Sequence, residues 1–191
     1  MPKTRNILAA LALPLLAAAV TAPASAREVC GLTTFLDETM AGVKNKGYSA
    51  MCRAWEGCSI FSARTSGHRL QLARQDREKV WRVLLNTPPR AEADVSEGVE
   101  LTVDKGEPMR VPPEFLDERA DGRAIIISPK LTEVVLPELQ KGKLLKWRYT
   151  LKGGKQVEAE IPLEGFAPVL GWADCIKPKL DAAAEKKARG N

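Results

Sequence analysis

Side chains able to do chemistry are few in this chain: one histidine, four cysteines and scattered pairs of carboxylates. Because His68 is the sole histidine, a Ser-His-Asp triad, a multi-imidazole metal site or a bis-histidine haem would all have to route through it. It stands in Ser66-Gly67-His68-Arg69 with no partner motif around it, and the expectation is an exposed residue at a turn-to-strand junction. No G-x-S-x-G, G-x4-G-K-[ST], S-x-x-K or EF-hand loop occurs. The carboxylate pairs are Asp94 with Glu97, Glu114 with Asp117 and Glu118, and Glu158 with Glu160. Glu158 and Glu160 share a strand face and could in principle divide acid and base work. Alternation with Val157 and Ile161 instead makes them the solvated side of a strand. No catalytic, cofactor-binding or metal-binding residue is assigned on these grounds, and no enzyme activity is expected.

The cysteines depend on compartment. The amino terminus reads MPKTRN, then a 14-residue apolar run from Ile7 to Val20, then TAPASA. A basic start, a short apolar stretch and Ala24-Ser25-Ala26 form the secretory pattern, with cleavage expected after Ala26. The run is shorter than the ~20 residues a membrane helix needs, and Pro14 interrupts it. Residues 1–26 are thus expected to be a removable signal, leaving a periplasmic or secreted, envelope-associated protein with no transmembrane segment. In an oxidising compartment an even number of cysteines points to disulfides. Four cysteines allow three pairings. Cys52 and Cys58, in CRAWEGC, are close enough to staple a tight hairpin, which leaves Cys30 for Cys175. A C-x5-C spacing fits neither the thioredoxin motif nor a zinc ribbon.

The full sequence of 191 residues carries 29 Lys+Arg and 24 Asp+Glu, a net charge of +5. Loss of Lys3 and Arg5 with the leader would lower it to about +3, too weak a surplus to imply a nucleic-acid partner. About 165 residues would remain, enough for one compact domain with its own core.

The elements that must position these residues follow from periodicity. Val29, Leu32, Phe35, Leu36, Met40 and Val43 recur at steps of three and four, which predicts an amphipathic helix within 27–47, packed on the main domain. Beyond it the period becomes two. CSIFSAR, HRLQLARQ, KVWRVLLN, VELTV and RAIIIS are short, rich in β-branched and apolar residues, and separated by turn residues. The segment Lys143–Leu151, then Lys152-Gly-Gly-Lys155, then Gln156–Ile161 predicts a β-hairpin, the two glycines suiting a type I′ turn. Leu131, Val134, Val135 and Leu139 predict a short helix within 129–141, limited or kinked by Pro137. Residues 177–191, rich in Ala, Lys and Glu, are expected to fray. The fold expected is mainly β: one disulfide-stapled sandwich or partly open barrel over 27–176, with the amino-terminal helix and one or two more short helices.

One charge cluster stands out. Lys141, Lys143, Lys146, Arg148, Lys152 and Lys155 crowd the predicted hairpin, around Trp147 and Tyr149, and could form a patch for an anionic envelope polymer or glycolipid. Glu158 and Glu160 would partly neutralise it across the strands.

Several motifs occur together in one order. Cys52 and Cys58 sit on a strand pair, and a V-W-R-V-L-L strand follows. Next come Gly98-Val-Glu-Leu101-Thr-Val-Asp104, Leu139-Gln-Lys-Gly142-Lys143, and Ile161-Pro-Leu163-Glu-Gly165-Phe166. In this the chain resembles the invasion-associated locus B family, exported bacterial proteins of β-sandwich type, over about Tyr48 to Asp174. It departs from that pattern at Arg119–Arg123, where family members commonly carry a second close cysteine pair. The resemblance implies an exported protein and carries no catalytic residues. The function expected is non-enzymatic binding of another envelope component, protein or anionic glycolipid, or of a host surface. A thiol–disulfide or cell-wall-acting periplasmic enzyme is the alternative, as is a docking or assembly factor of an envelope complex. Phe166, Val169, Leu170 and Trp172, after the Gly165 turn, are expected to close the open end of the sheet.

Overall fold

The structure is a computed structural model, and it describes residues 26–76, 78–118 and 123–190. The expected signal lies almost wholly outside them, as does most of the departure at 119–123. Among the described residues thirteen strands form two antiparallel sheets, with no closed barrel. The long sheet begins with β1 (Ala26–Val29), β2 (Leu32–Leu36), β3 (Met40–Asn45), β4 (Tyr48–Arg53), β5 (Gly57–Ser62), β6 (Arg69–Gln75) and β7 (Arg82–Asn86). β11 (Ala124–Ile127) and β10 (Leu116–Glu118) then complete it. The short sheet runs in the order β13 (Gln156–Pro162), β12 (Leu144–Leu151), β8 (Ala93–Val103), β9 (Met109–Val111). Two helices complete the fold: α1 (Pro129–Lys141) and α2 (Phe166–Ala188).

The expected amino-terminal helix is three strands instead. Two tight turns decide this. Cys30 and Gly31 have φ of 55° and 78°, and Lys46 and Gly47 have 43° and 81°. Both pairs sit in two-residue loops between antiparallel strands, the positive-φ arrangement whose twist suits a hairpin. Once β1 to β4 pair, Thr34, Ala41, Val43, Tyr48 and Ala50 alternate inward and are buried. The steps of three and four were a coincidence of apolar residues falling on both faces of neighbouring strands.

The inner face of the long sheet is covered twice. Its β6–β7–β11 half buries Leu70, Leu72, Leu85, Ile125 and Ile127 in the core shared with Leu101, Leu145 and Trp147 of the short sheet. Its β2–β5 half packs against α2. Phe166, Val169, Leu170, Trp172, Ala173, Ile176, Leu180 and Ala184 are the buried stripe of that helix. The expectation that Phe166 to Trp172 close the core holds, but the expected frayed tail does not. Leu180 and Ala184 extend the stripe by two further turns, and Lys177 lies on it, bonded to Asp76 and Asp181. The helix therefore runs to Ala188.

Other expectations hold. α1 has Pro137 inside it and Ser128 as its N-cap, with the Ser128 hydroxyl accepting from Leu131 N–H. The β12–β13 hairpin forms, with Trp147 opposite Ala159. Its turn is not type I′. Gly154 N–H donates to Leu151 C=O, so Lys152 and Gly153 are central, and only Gly153 of these two has positive φ.

Candidate functional site

The cysteines pair as Cys52–Cys58 and Cys30–Cys175. Cys52 and Cys58 stand directly opposite each other on β4 and β5, and both are buried beneath α2, near the Ala173 carbonyl oxygen. Cys30 lies in the β1–β2 turn and Cys175 on α2, so the second bridge fastens the amino-terminal hairpin to the covering helix. Two formed bridges suit a chain that folds in an oxidising compartment. Among the described residues no helix is long and apolar enough to cross a membrane.

His68 is not exposed. It is 5% accessible, inside the sandwich, with its ring edge-on to Trp147 at 5.6 Å and its Nε2 2.9 Å from the Tyr149 hydroxyl. The Ser66-Gly67 turn folds the chain back so that Thr65 and His68 bridge, and this directs the imidazole inward. Burial lowers the His68 pKa from its ordinary value, partly offset by the backbone of Ser66 and Thr65. Burial also pushes the Tyr149 hydroxyl up to about 12. The His68 Nε2–Tyr149 contact is a polar pair in a core, while His68 Nδ1 and Trp147 Nε1 are buried without a hydrogen-bond partner. A histidine held neutral contributes stability that is complete above its unfolded pKa, about 6.5, and is lost as pH falls below it towards the lower folded value. Unfolding free energy is therefore expected to decline from about pH 6.5 downward, and His68→Gln should remove that part of the slope. Denaturant titrations at several pH values measure it. An unchanged slope in the variant would place the proton uptake elsewhere.

The cationic hairpin is largely paired. On the outer face of the short sheet, Arg148 bonds both Glu100 and Glu158 at 3.0 Å, and Lys146 bonds Glu160 at 2.7 Å. The Glu160 hydrogen bond and charge raise the Lys146 pKa. Lys152 meets Glu92 at 3.8 Å, and Lys141 meets Glu138 at 3.5 Å at the end of α1. Among the described residues Lys143 and Lys155 have no carboxylate partner. Lys146, Arg148 and Lys152 are thus interleaved with acids on the hairpin, and the six cations do not form one uniform positive field.

The motif residues meet at structural junctions. A Cβ on Gly98 (φ +76°) would stand 2.6 Å from the Val111 carbonyl oxygen, where β8 and β9 pair closely. Leu101 points into the core. Asp104 follows β8, and its Oδ1 accepts from Lys143 N–H at 2.9 Å and Leu144 N–H at 2.8 Å, just after Gly142. Leu163 is buried, Gly165 is the N-cap of α2, and Phe166 packs on Tyr48 at 5.5 Å between ring centres. These positions join strands and seat α2.

The surface that spacing did not reveal is the outer face of β2–β5, opposite α2. Register places Phe35, Gly42, Met51, Ser59 and Ala73 in one outward row. Lys44, Ser49, Phe61 and Gln71 form the next. Phe35 is 55% and Met51 43% accessible, and small residues between them leave a groove of about 440 Å³ lined by Phe35, Met40, Gly42, Met51 and Phe61. A second hollow, over Ser59, Ala73 and Arg74, adjoins it across Met51 and Phe61. The misassigned helix hid this surface, because Phe35 and Met40 were counted on a buried helical face.

No family model matches the chain, and no curated protein matches it. Among solved structures, it is similar to the crystal structure of invasion associated protein B from Bartonella henselae. The TM-score is 0.49 and the identity 16%, over 75% of this chain and 98% of that one. The likeness is a structural relationship only.

Proposed function

We propose that this chain is an exported, envelope-associated protein that acts by binding another envelope component and catalyses no reaction of its own. The observation that carries this reading is the open apolar face of β2–β5, built on a sheet whose inner side is stapled and fully covered. Contiguous exposed apolar surface on a rigid scaffold marks an interaction site. The secretory pattern and the motif resemblance support the envelope as its setting. The hairpin is the weaker surface, since Lys146 and Arg148 at its centre are already paired with acids. The thiol–disulfide alternative lacks support from accessibility: a reactive cysteine needs an exposed sulfur, and Cys52 and Cys58 are 0% and 3% accessible.

The test is site-specific photocrosslinking in envelope extract. A benzoylphenylalanine in place of Met51 or Phe35 is expected to give discrete adducts, and one in place of Lys155 on the hairpin tip is not. Adducts from Lys155 alone would move the site to the hairpin. A reproducible turnover of a small substrate, abolished by one side-chain change, would overturn the non-enzymatic reading.

A further inference from the structure

The apolar groove does not stand alone. Three cations, Lys44, Arg64 and Arg69, lie beside its Phe61 end, and none is ion-paired to a described residue. Lys44 is in the same cross-strand row as Ser49 and Phe61. The Arg69 guanidinium lies over the Phe61 ring, 5.5 Å from its centre, as a cation–π pair would place it. Its Nε is buried and has no hydrogen-bond partner. Arg64, whose own guanidinium donates to the Gly67 carbonyl, is close enough for its charge to act on Arg69. Arg69 is half-buried and Arg64 exposed, and an anion that joined the two guanidiniums would relieve their repulsion. Arg53 and Arg82, which project from the same outer side of the sheet, each have an acid: Glu56 and Glu78. Lys44, Arg64 and Arg69 thus place three cations without acids at one end of the apolar groove.

We propose that the outer face of β2–β5 binds a single-chain anionic lipid, with its acyl chain in the Phe35–Met51–Phe61 groove and its phosphate against Arg64, Arg69 and Lys44. The proposal rests on the binding role argued above and names its ligand class. The groove volume falls in the range of small-ligand sites, which are apolar with a few placed polar groups. Met40 and Met51 supply flexible, polarisable walls that adapt to a chain of variable length and unsaturation. A guanidinium can hold phosphate through two parallel hydrogen bonds, and here the Phe61 ring presents one such group at the mouth. The short Gly42, Ser49, Ser59 and Ala73 side chains keep the floor open between the larger residues.

The experiment is calorimetric titration of the folded, oxidised protein with lysophosphatidylglycerol below its micelle concentration. Lysophosphatidylcholine and inorganic phosphate are run as separate probes. Saturable one-to-one binding is expected for the anionic lipid. Affinity should be at least tenfold weaker for the choline lipid, and phosphate alone should bind weakly or not at all. Met51→Glu should abolish lipid binding. Arg64→Gln with Lys44→Gln, both exposed positions, should weaken only the anionic lipid, by about tenfold, and Arg69→Gln should add to that. Lys155→Gln should change nothing. Equal affinity for the two lipids, or phosphate binding as tightly as the lipid, would overturn the proposal. So would concentration-dependent dimerisation that Met51→Glu abolishes without any lipid bound, which would make the face a contact between copies. Protein adducts at Met51 together with no lipid binding would retire this inference and leave the broader binding role intact. Loss of both would retire the two together.

Discussion

Replacing Cys30 and Cys175 together by alanine is expected to remove about 5 kcal/mol of unfolding free energy. The bridge closes a loop across a sequence separation of 145, so in the unfolded chain it restricts nearly the whole domain. The Cys52–Cys58 bridge closes a separation of 6, and the same chain-entropy argument gives it only about 2 kcal/mol. A domain of this size is commonly stable by 5–15 kcal/mol, so the long-bridge variant should still fold but melt roughly 10–20 °C lower. Urea unfolding of the two double-alanine variants gives the comparison directly. Equal losses, or a larger loss for the short bridge, would show that packing of the buried Cys52 and Cys58 sulfurs outweighs loop closure. The m-value adds a check: loosening the unfolded state should raise it in the long-bridge variant.

Much of this architecture was legible in the sequence, and the places where legibility failed share a cause. The strands β5, β6, β7 and β11, α1 and the β12–β13 hairpin carry their period and their turn residues within the segment itself. The Cys30–Cys175 and Cys52–Cys58 pairing followed from count and spacing. Residues 26–47 misled because an apolar residue every three or four positions suits a helix, and it also suits short strands interrupted by turns. The deciding signal was local: Cys30-Gly31 and Lys46-Gly47, two-residue turns that admit positive φ, end strands too short to show two full alternations. His68 failed for a related reason. A turn residue is exposed by default, and only the Thr65–His68 bridge turns this one inward to Tyr149. The carboxyl-terminal half of α2 was missed because its buried stripe there consists of Leu180 and Ala184, with Lys177 the only other buried side chain. Its stability comes from the sheet beneath it, which no window of sequence contains.

The candidate site was the least legible part, and physically it had to be. The groove is made by register. Phe35, Gly42, Met51 and Ser59 come from four strands and become neighbours only through hydrogen-bonded pairing. Clusters of cations along the chain drew attention to the hairpin, where cross-strand acids neutralise them. The cations beside the groove, Lys44, Arg64 and Arg69, have no carboxylate partner among the described residues, and they are separated in sequence and inconspicuous there. Charge density in sequence thus pointed to the hairpin, and the sheet assembled the cations beside the groove.

The second large effect is expected at Trp172. Its indole is 1% accessible between α2 and the long sheet, and its Nε1–H donates to Thr34 Oγ1 at 2.8 Å. Thr34 is fully buried and its hydroxyl donates to the Leu32 carbonyl at 2.9 Å, so the contact ties β2 to the helix through a short polar chain. Trp172→Ala should cost about 3–5 kcal/mol, from lost burial and the cavity left behind. Trp172→Phe keeps most of the packing but leaves Thr34 without its donor, a cost of about 1–3 kcal/mol. Thr34→Val in turn strands the indole N–H. Combining Trp172→Phe with Thr34→Val removes both polar partners, so the double variant should lose clearly less than the two single losses added. A strictly additive cycle would mean that the hydrogen bond contributes nothing and that volume alone fixes the helix. Trp172 also lies one turn from Cys175, and both hold the β1–β2 hairpin against α2. Trp172→Ala in the Cys30→Ala, Cys175→Ala background should therefore cost less than in the bridged protein, because the hairpin is already free to separate. In that background, hydrogen exchange at Thr33, Phe35 and Val43 should rise ahead of exchange in β6 and β7, whose inner faces rest on the short sheet. That ordering would divide the domain into a sandwich that stands on its own core and a helix-covered half that depends on its two ties.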